Sequence, residues 1–161
     1  MRIATWNVNS IKAHLDQVTE WLKSEKPDVV CLQEIKCEDH AFPAQAFEDL
    51  GYNCAVHGQK TYNGVALLSR FPMEDIQRGL PGDDTDEQAR FIMATVTEAG
   101  LTVRIGGLYL PNGNPAPGPK YDYKLGWMQR LRDFAQDELT KQEPFVLAGD
   151  YNMIPSTVDA K

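Results

Sequence analysis

The chain has 161 residues, of which 42% are hydrophobic and 24% charged, a composition typical of one globular domain. A formal net charge of -7 argues mildly against a protein coated with nucleic acid, but much of the acidity is local and excludes no substrate class. No apolar run reaches the roughly 18 residues of a membrane span, and the three cysteines lack a CxxC spacing. We therefore expect a cytoplasmic protein with reduced thiols and no membrane association.

The first part of the chain predicts a β-α-β unit. Residues 2–7 predict a buried strand, and residues 28–33 predict a second one. Between them, one face of a helix is predicted from apolar residues at steps of four, three and four: Ile11, Leu15, Val18 and Leu22. Ser10 is the candidate N-cap of this helix, and Pro27 marks the break after it.

The middle of the chain predicts consecutive strands. A short helix is expected around 43–49, ended by Gly51. Turn signals then separate the strands predicted at 52–57, 64–69, 73–78, 89–97 and 101–109. A run of strands after a β-α-β opening predicts an α/β protein with a mixed sheet and flanking helices.

The last part of the chain predicts a proline-containing loop, a helix and a final strand. Residues 111–120 contain four prolines and are predicted to form a loop, because proline is not tolerated in a central strand or helix. A second amphipathic helix is predicted beyond the loop from Leu125, Met128, Leu131, Ala135 and Leu139. It ends before Pro144, and residues 145–149 predict the final strand.

Polar residues follow three of the predicted apolar strands. Asn7 ends the first strand, Glu34 follows the second, and Asp150 and Asn152 follow the last. Each taken alone is equally well explained as a solvated strand end or an Asx turn. Taken together they favour a cluster of oxygen ligands at one mouth of a sheet, where the carboxyl ends of strands meet.

Such a cluster suits the hydrolysis of a phosphodiester. Mg²⁺ prefers carboxylate oxygen and keeps several waters, so one or two protein carboxylates suffice to bind it. The metal polarises a phosphoryl oxygen, and a second carboxylate can orient or deprotonate the attacking water. Amides can hold that carboxylate and the phosphate without adding negative charge.

Ordered motifs carry a resemblance to a known family. They are Trp6-Asn7-Val8-Asn9-Ser10-Ile11, Leu32-Gln33-Glu34-Ile35-Lys36, Asn63-Gly64-Val65-Ala66, Leu108-Tyr109-Leu110-Pro111-Asn112-Gly113, Tyr123-Lys124-Leu125-Gly126-Trp127-Met128 and Gly149-Asp150-Tyr151-Asn152. The chain resembles the exonuclease III branch of apurinic/apyrimidinic endonucleases, within the endonuclease/exonuclease/phosphatase superfamily. The motif that begins at Tyr123 and the Leu-Pro-Asn-Gly segment that begins at Leu110 distinguish this branch. The resemblance implies a four-layered α/β sandwich of two mixed sheets flanked by helices.

The resemblance also implies roles for the site residues. Glu34 would be a metal ligand, with Asn7 beside it at the metal and the phosphate. Tyr109 would reach the scissile phosphate with its hydroxyl. Asp150 would act on the nucleophilic water or on the leaving group, and Asn152 would orient Asp150 and contact phosphate.

Substrate and cofactor follow from the same resemblance. The expected activity is Mg²⁺-dependent hydrolysis of DNA 5′ to abasic sites and from 3′ ends, with Mn²⁺ possible as the metal. The expected partner is double-stranded DNA, bound by a monomer. Lys124, Arg90 and Asn112 would contact it, although a solvated surface charge is the favoured interpretation of Lys124 and of Arg90 taken singly.

Members of this family continue past the region matched here. The resemblance therefore implies that residues 1–161 are the N-terminal portion of a single domain, with much of the second sheet missing. A late Asp and a Ser-Asp-His segment of the family have no counterpart, since His14, His40 and His57 lack the required context. We expect impaired activity and a tendency to aggregate.

Two alternatives remain open. One is an inactive fragment with residual metal or DNA binding. The other is a phosphatase or sphingomyelinase branch of the same superfamily, which the branch-specific motifs disfavour.

Overall fold

A computed structural model describes residues 1–159, which form two four-stranded sheets and three α-helices. The elements are β1 (Ile3–Asn7), α1 (Leu15–Glu25), β2 (Val29–Gln33), α2 (Ala44–Glu48), β3 (Asn53–His57), β4 (Val65–Ser69), β5 (Met73–Arg78), β6 (Phe91–Glu98), β7 (Leu101–Tyr109), α3 (Pro119–Thr140) and β8 (Phe145–Asp150). Short 3₁₀ turns occur at Asp39–Ala41 and Thr157–Asp159. Within residues 1–159, no helix is both long enough and apolar enough to cross a membrane.

Both sheets mix parallel and antiparallel pairs. Sheet 1 has the order β1-β2-β4-β3, and sheet 2 has the order β5-β6-β7-β8. The β1–β2 and β7–β8 pairs are parallel, and the other pairs are antiparallel. Each parallel pair is connected across a helix, α1 or α3, as parallel pairing requires. The predicted β-α-β opening and mixed-sheet architecture are confirmed.

Alternate residues of the strands build three apolar cores. The outer face of sheet 1 packs Val30 and Leu32 in one core with Val18 and Leu22 of α1 and Phe47 of α2. The two sheets share a second core that contains Val29, Cys31, Leu67, Ile92 and Ile105. The outer face of sheet 2 packs Phe91 and Met93 with Trp127 and Phe134 of α3. The layers are therefore helix, sheet, sheet and helix, which confirms the predicted four-layered sandwich.

One predicted feature of α1, its N-cap, differs in the structure, whereas the predicted break at Pro27 is confirmed. The helix begins at Leu15, so Ser10 is not its N-cap. Ser10 instead adopts a positive φ of 84° and accepts a hydrogen bond from the Ala13 N–H (3.3 Å) within a turn that precedes the helix. At the other end Lys26 adopts a left-handed conformation and its N–H donates to the Leu22 carbonyl, which ends the helix before Pro27.

The start of α3 also corrects the sequence prediction. The helix begins at Pro119, inside the segment 111–120 that was predicted to be entirely loop. Proline is well suited to the first helical turn, because the N–H it lacks would have no partner there. Four prolines therefore mark a loop followed by a helix start.

The buried face of α3 matches the one predicted from apolar spacing only in part, since Met128 and Leu131 pack against the core of sheet 2. Leu125 and Leu139 are exposed, whereas Trp127, Phe134 and Glu138 are buried. The Glu138 carboxylate is paired with Arg104 of β7, with 2.6 Å between Nη1 and Oε2. A paired charge and two aromatic side chains thus orient the helix on sheet 2, and apolar periodicity alone does not report such a pairing.

A glycine allows close contact between β7 and β8 at the end of the sheet. Gly149 lies opposite Leu108 in the parallel register, and a Cβ at Gly149 would collide with the Leu108 carbonyl oxygen. The next register pair is Tyr109 with Asp150. Any side chain at Gly149 would therefore displace the strand ends that carry these two residues.

We predict that Gly149→Ala lowers the free energy of unfolding by about 3 kcal/mol, because the added methyl group is forced onto main-chain atoms. The matched control is Gly126→Ala in α3, where a Cβ meets nothing within 4 Å. This control should raise stability by about 1 kcal/mol through helix propensity. Urea unfolding of both variants measures the difference, and equal stabilities would contradict the close-contact explanation.

Candidate active site

The carboxyl ends of four strands meet at one edge of the two sheets. In sheet 1, Asn7 at the end of β1 pairs with Gln33 at the end of β2, and Glu34 follows. In sheet 2, Tyr109 at the end of β7 pairs with Asp150 at the end of β8. Because β1 packs against β8 and β2 against β7, the two parallel pairs place their polar ends side by side.

Glu34 and Tyr109 are joined across the sheets. The Tyr109 hydroxyl donates a hydrogen bond to Glu34 Oε1 at 2.7 Å. Burial, this hydrogen bond and the negative charge of Glu34 raise the pKa of Tyr109 to about 12, against a smaller opposing effect of Arg90. Tyr109 is therefore a neutral phenol and a hydrogen-bond donor at physiological pH.

Asp150 is held by amide donors on both sides. Asn7 Nδ2 donates to Asp150 Oδ2 at 2.9 Å, and the Asn152 main-chain N–H donates to Asp150 Oδ1 at 2.9 Å. Asn7 Oδ1 accepts from the Asn9 N–H at 3.1 Å, so the Asn7 amide nitrogen is directed at the carboxylate. The Asn152 side chain instead donates to the Leu110 carbonyl oxygen. Asn7 and Asn152 thus orient Asp150 in different ways, one through its side chain and one through its backbone.

Two site residues have left-handed backbones. Glu34 has a φ of 52° and Asn152 a φ of 46°. For a residue other than glycine this conformation costs on the order of 1–3 kcal/mol and persists only where surrounding contacts impose it. At Glu34 those contacts are hydrogen bonds from Ser10 N to the Glu34 carbonyl (2.8 Å) and from Ile35 N to the Gly64 carbonyl (3.2 Å). Strain of this kind is concentrated at functional sites in proteins.

Arg90 lies beside Tyr109 in a fixed position. Its guanidinium carbon is 4.9 Å from the ring centroid of Tyr109 and 5.9 Å from that of Tyr123. Its Nε donates to Gln88 Oε1 at 2.7 Å, and Nη1 donates to the Tyr109 carbonyl at 3.2 Å. The predicted DNA contact is therefore a partly buried arginine whose position is determined by its neighbours.

Lys124 bridges two loops of the site. Its ammonium donates to the main-chain carbonyls of Asn112 (3.2 Å) and Asn152 (2.7 Å). The exposed Asn112 side chain accepts a hydrogen bond from the Asn114 N–H at 3.1 Å, which stabilises the first of these loops. Lys124 therefore connects the loop after β7 to the turn after β8.

Two open cavities flank the Asn112 loop. The larger, of about 820 Å³, is lined by Asp150, Asn152 and Lys124. The smaller, of about 490 Å³, is lined by Arg90 and includes Lys120 among its lining residues. Asn112 lines both cavities. Their amide and basic side chains are suited to bind phosphate oxygens.

The donors at the site fit a hard divalent cation. Within residues 1–159 no hydrogen bond reaches Glu34 Oε2, so this oxygen is available as a ligand. One or two carboxylates are enough for Mg²⁺, which keeps most of its waters. The part of the chain described by the structure contains no group of three or more His, Cys, Asp or Glu side chains that could hold a metal ion. Of the two site carboxylates, both oxygens of Asp150 accept hydrogen bonds from described residues, whereas Glu34 accepts one at Oε1 alone.

Three residues near the site were not identified from the sequence. Asp86 lies in the acidic loop between β5 and β6, and its side chain is 6% exposed and pairs with Arg130 at 2.7 Å. The Tyr123 hydroxyl donates to the same carboxylate at 2.8 Å. The Tyr-Lys-Leu-Gly-Trp-Met motif contains Tyr123 and was the one available signal, since no spacing rule links a loop Asp to a helix 37 residues away.

We predict that Glu34→Gln lowers the pKa of the Tyr109 phenol below about 12 in metal-free buffer, because a neutral amide stabilises the phenol proton less than a carboxylate does. Since the folded-state pKa is raised from 10, the associated stability is complete below pH 10 and is lost as pH rises towards 12. Carbon-13 NMR of the tyrosine ring measures the titration, with Tyr109→Phe for assignment. Glu38→Gln, an exposed glutamate, is the matched control. An unchanged titration in Glu34→Gln would contradict the contact.

Comparisons with known proteins agree with this fold. Exodeoxyribonuclease III of Haemophilus influenzae is 39% identical over 161 residues, which is 99% of this chain and 60% of that protein. The structure titled 3′ phosphatase NExo from Neisseria, bound to a product DNA hairpin, superposes with a TM-score of 0.89 at 42% identity, over 97% of this chain and 59% of that one. An AP endonuclease from Archaeoglobus fulgidus gives a TM-score of 0.88 at 39% identity, over 98% of this chain and 60% of that one.

The chain thus spans about 60% of the length of these relatives. The model of the Endonuclease/Exonuclease/phosphatase family matches residues 4–161. With the stacked sheets and the polar residues at their shared edge, this match shows that the chain belongs to the endonuclease/exonuclease/phosphatase family, and its relatives are nucleases of the exodeoxyribonuclease III and AP endonuclease type.

Proposed function

We propose that this chain carries one wall of a Mg²⁺-dependent DNA phosphodiesterase site of the exodeoxyribonuclease III type. The observation that carries the proposal is the pair of contacts between the two sheets, Tyr109 with Glu34 and Asn7 with Asp150. They place a neutral phenol donor, two carboxylates and an amide at one polar edge. The substrate is double-stranded DNA, cleaved 5′ to abasic sites and from 3′ ends.

In this proposal Asp150 is the residue that accepts or donates a proton. Its two oxygens are held by Asn7 and Asn152, so its orientation is fixed before substrate binds. A carboxylate held in this way can accept a proton from the attacking water or return one to the leaving oxygen. The geometry is compatible with either role of Asp150, activation of the water or protonation of the leaving oxygen.

In this proposal Tyr109 acts on the phosphate as a hydrogen-bond donor, and Glu34 acts on it through the metal ion. In the free chain the single Tyr109 hydroxyl proton is donated to Glu34, and with substrate bound the hydroxyl would turn to donate to a phosphate oxygen, where charge develops during the reaction. Glu34, with Asn7 beside it, would hold Mg²⁺, or Mn²⁺ as the second possibility. The bound ion would supply Lewis-acid polarisation of the phosphoryl oxygen.

The DNA backbone would lie along the basic and amide side chains that line the two cavities. Arg90 and Asn112 are the proposed phosphate contacts, and Lys124 adds positive charge while it connects the site loops. The relatives support this partner, since one of the structures named above is bound to a DNA hairpin and another is an AP endonuclease. We further propose that the protein is cytoplasmic, as expected from its cysteine content, and that it is a monomer, as the resemblance implies.

The activity of this chain alone is proposed to be low. Among residues 1–159 the hydrogen-bonded site contains two carboxylates, Glu34 and Asp150, and the structure places no histidine in contact with either. Loss of one preorganised donor typically slows an enzyme by about 10²–10³-fold. A chain that binds metal or DNA without turnover is accordingly the second candidate function.

The test is a nicking assay on duplex DNA with one abasic site. We predict slow cleavage that requires Mg²⁺, disappears in EDTA, and falls by at least about 100-fold in Glu34→Ala. Glu38→Ala removes an exposed glutamate outside the site and should leave the rate unchanged.

The outcomes separate the candidates. Cleavage that survives EDTA or the loss of Glu34 would contradict the proposed metal role. Binding of Mg²⁺ or DNA without nicking would favour the second candidate. Cleavage of phospholipid head groups but not DNA would place the chain in another branch of the family.

A further inference from the structure

A second polar network lies behind Tyr109, away from Glu34. It begins at Arg90, whose guanidinium is positioned between the rings of Tyr109 and Tyr123. A guanidinium within about 6 Å of a tyrosine ring centroid is attracted to the ring face. Arg90 is therefore held from two sides, by a ring of β7 and by a ring of α3.

The far side of the network is anchored by a buried carboxylate. The Tyr123 hydroxyl donates to both oxygens of Asp86, at 3.0 and 2.8 Å. Asp86 also accepts from Arg130 Nη1 at 2.7 Å and from the Gln88 N–H at 3.0 Å. These hydrogen bonds hold the pKa of Asp86 below its usual value despite its burial. Asp86 therefore stays an acceptor, and Tyr123 can only donate to it.

Asp86 and its partner Arg130 also hold the β5–β6 loop, which carries Arg90. Arg130 donates to the carbonyls of Pro81 (3.1 Å) and Leu80 (2.5 Å), so α3 holds the beginning of the loop between β5 and β6. Gln88, near the end of that loop, is bound to Asp86 through its N–H and to Arg90 through its side chain. The contacts of Arg130, Asp86 and Gln88 with this loop therefore restrict the position of Arg90.

We propose that Tyr123 and Asp86 are positioning residues that hold the Arg90 guanidinium against Tyr109. Neither forms a hydrogen bond with Glu34 or Asp150, and the proposed effect on the site passes through Arg90. The consequence for catalysis rests on the proposed function, whereas the placement of Arg90 can be measured without any activity.

The placement is tested by nitrogen-15 NMR of the arginine side chains in the 161-residue chain, with Arg90 assigned by Arg90→Lys. In the original chain the Arg90 Nε–Hε signal should be displaced by the ring currents of two tyrosines. Tyr123→Phe keeps the ring but removes the hydrogen bond to Asp86, and the signal should move towards that of an exposed arginine. Asp86→Asn weakens the same contact from the other side and should give the same direction of shift.

The matched control is Tyr52→Phe. Tyr52 also donates a hydrogen bond from a buried hydroxyl, to the Pro27 carbonyl at 2.7 Å, but it packs in the core on the outer face of sheet 1. This variant should lower stability and leave the Arg90 signal unchanged. The contrary outcome is that Tyr123→Phe and Asp86→Asn also lower stability without moving the Arg90 signal. In that case the network only attaches the β5–β6 loop to α3, and the proposal is wrong.

Activity is the second measurement. On abasic-site DNA, Tyr123→Phe should lower kcat by up to about 100-fold, because small displacements of site groups have effects of that size. A moved Arg90 signal with unchanged kcat would overturn the catalytic part of the proposal. A chain that fails to nick DNA in its original form would count against the proposed function, while the NMR result would still decide the placement of Arg90.

Discussion

The packing of β1 against β8 is the contact on which the site depends. Parallel strands within each sheet already bring their carboxyl ends to one edge, but only the stacking of the sheets makes the two edges meet. The hydrogen bond from Asn7 to Asp150 then links residues 143 positions apart in the chain. Gly149 permits the close β7–β8 contact at this edge, so the backbone geometry of one glycine influences both Tyr109 and Asp150.

The polar groups at this edge satisfy one another. Buried polar side chains are costly unless they are hydrogen-bonded, and among residues 1–159 no buried side-chain nitrogen or oxygen lacks a partner. Glu34 receives the Tyr109 hydroxyl, while Asp150 receives two N–H donors. These side chains are therefore oriented before any ligand binds.

The long helix α3 connects the site to the rest of sheet 2. Glu138 attaches it to β7 through Arg104, and Tyr123 and Arg130 attach it to the β5–β6 loop through Asp86. Lys124 on the same helix holds the loops that carry Asn112 and Asn152. A single rigid element thus supports three separate segments that line the cavities. Its own orientation depends on paired charges and aromatic side chains more than on an apolar stripe.

The sequence by itself determined the class of fold, the order of most elements and the residue types at the strand ends. Alternating and helical patterns reveal these features because they reflect local geometry. It misplaced the starts of α1 and α3, since Ser10 and Pro119 have alternative local roles, and part of the buried face of α3, since Glu138 pairs with the distant Arg104. Only the tertiary structure decided that Tyr109 contacts Glu34 and that Asp86 is buried beneath Tyr123. Those contacts join segments 75 and 37 residues apart, and no local pattern encodes which distant segments will pack together.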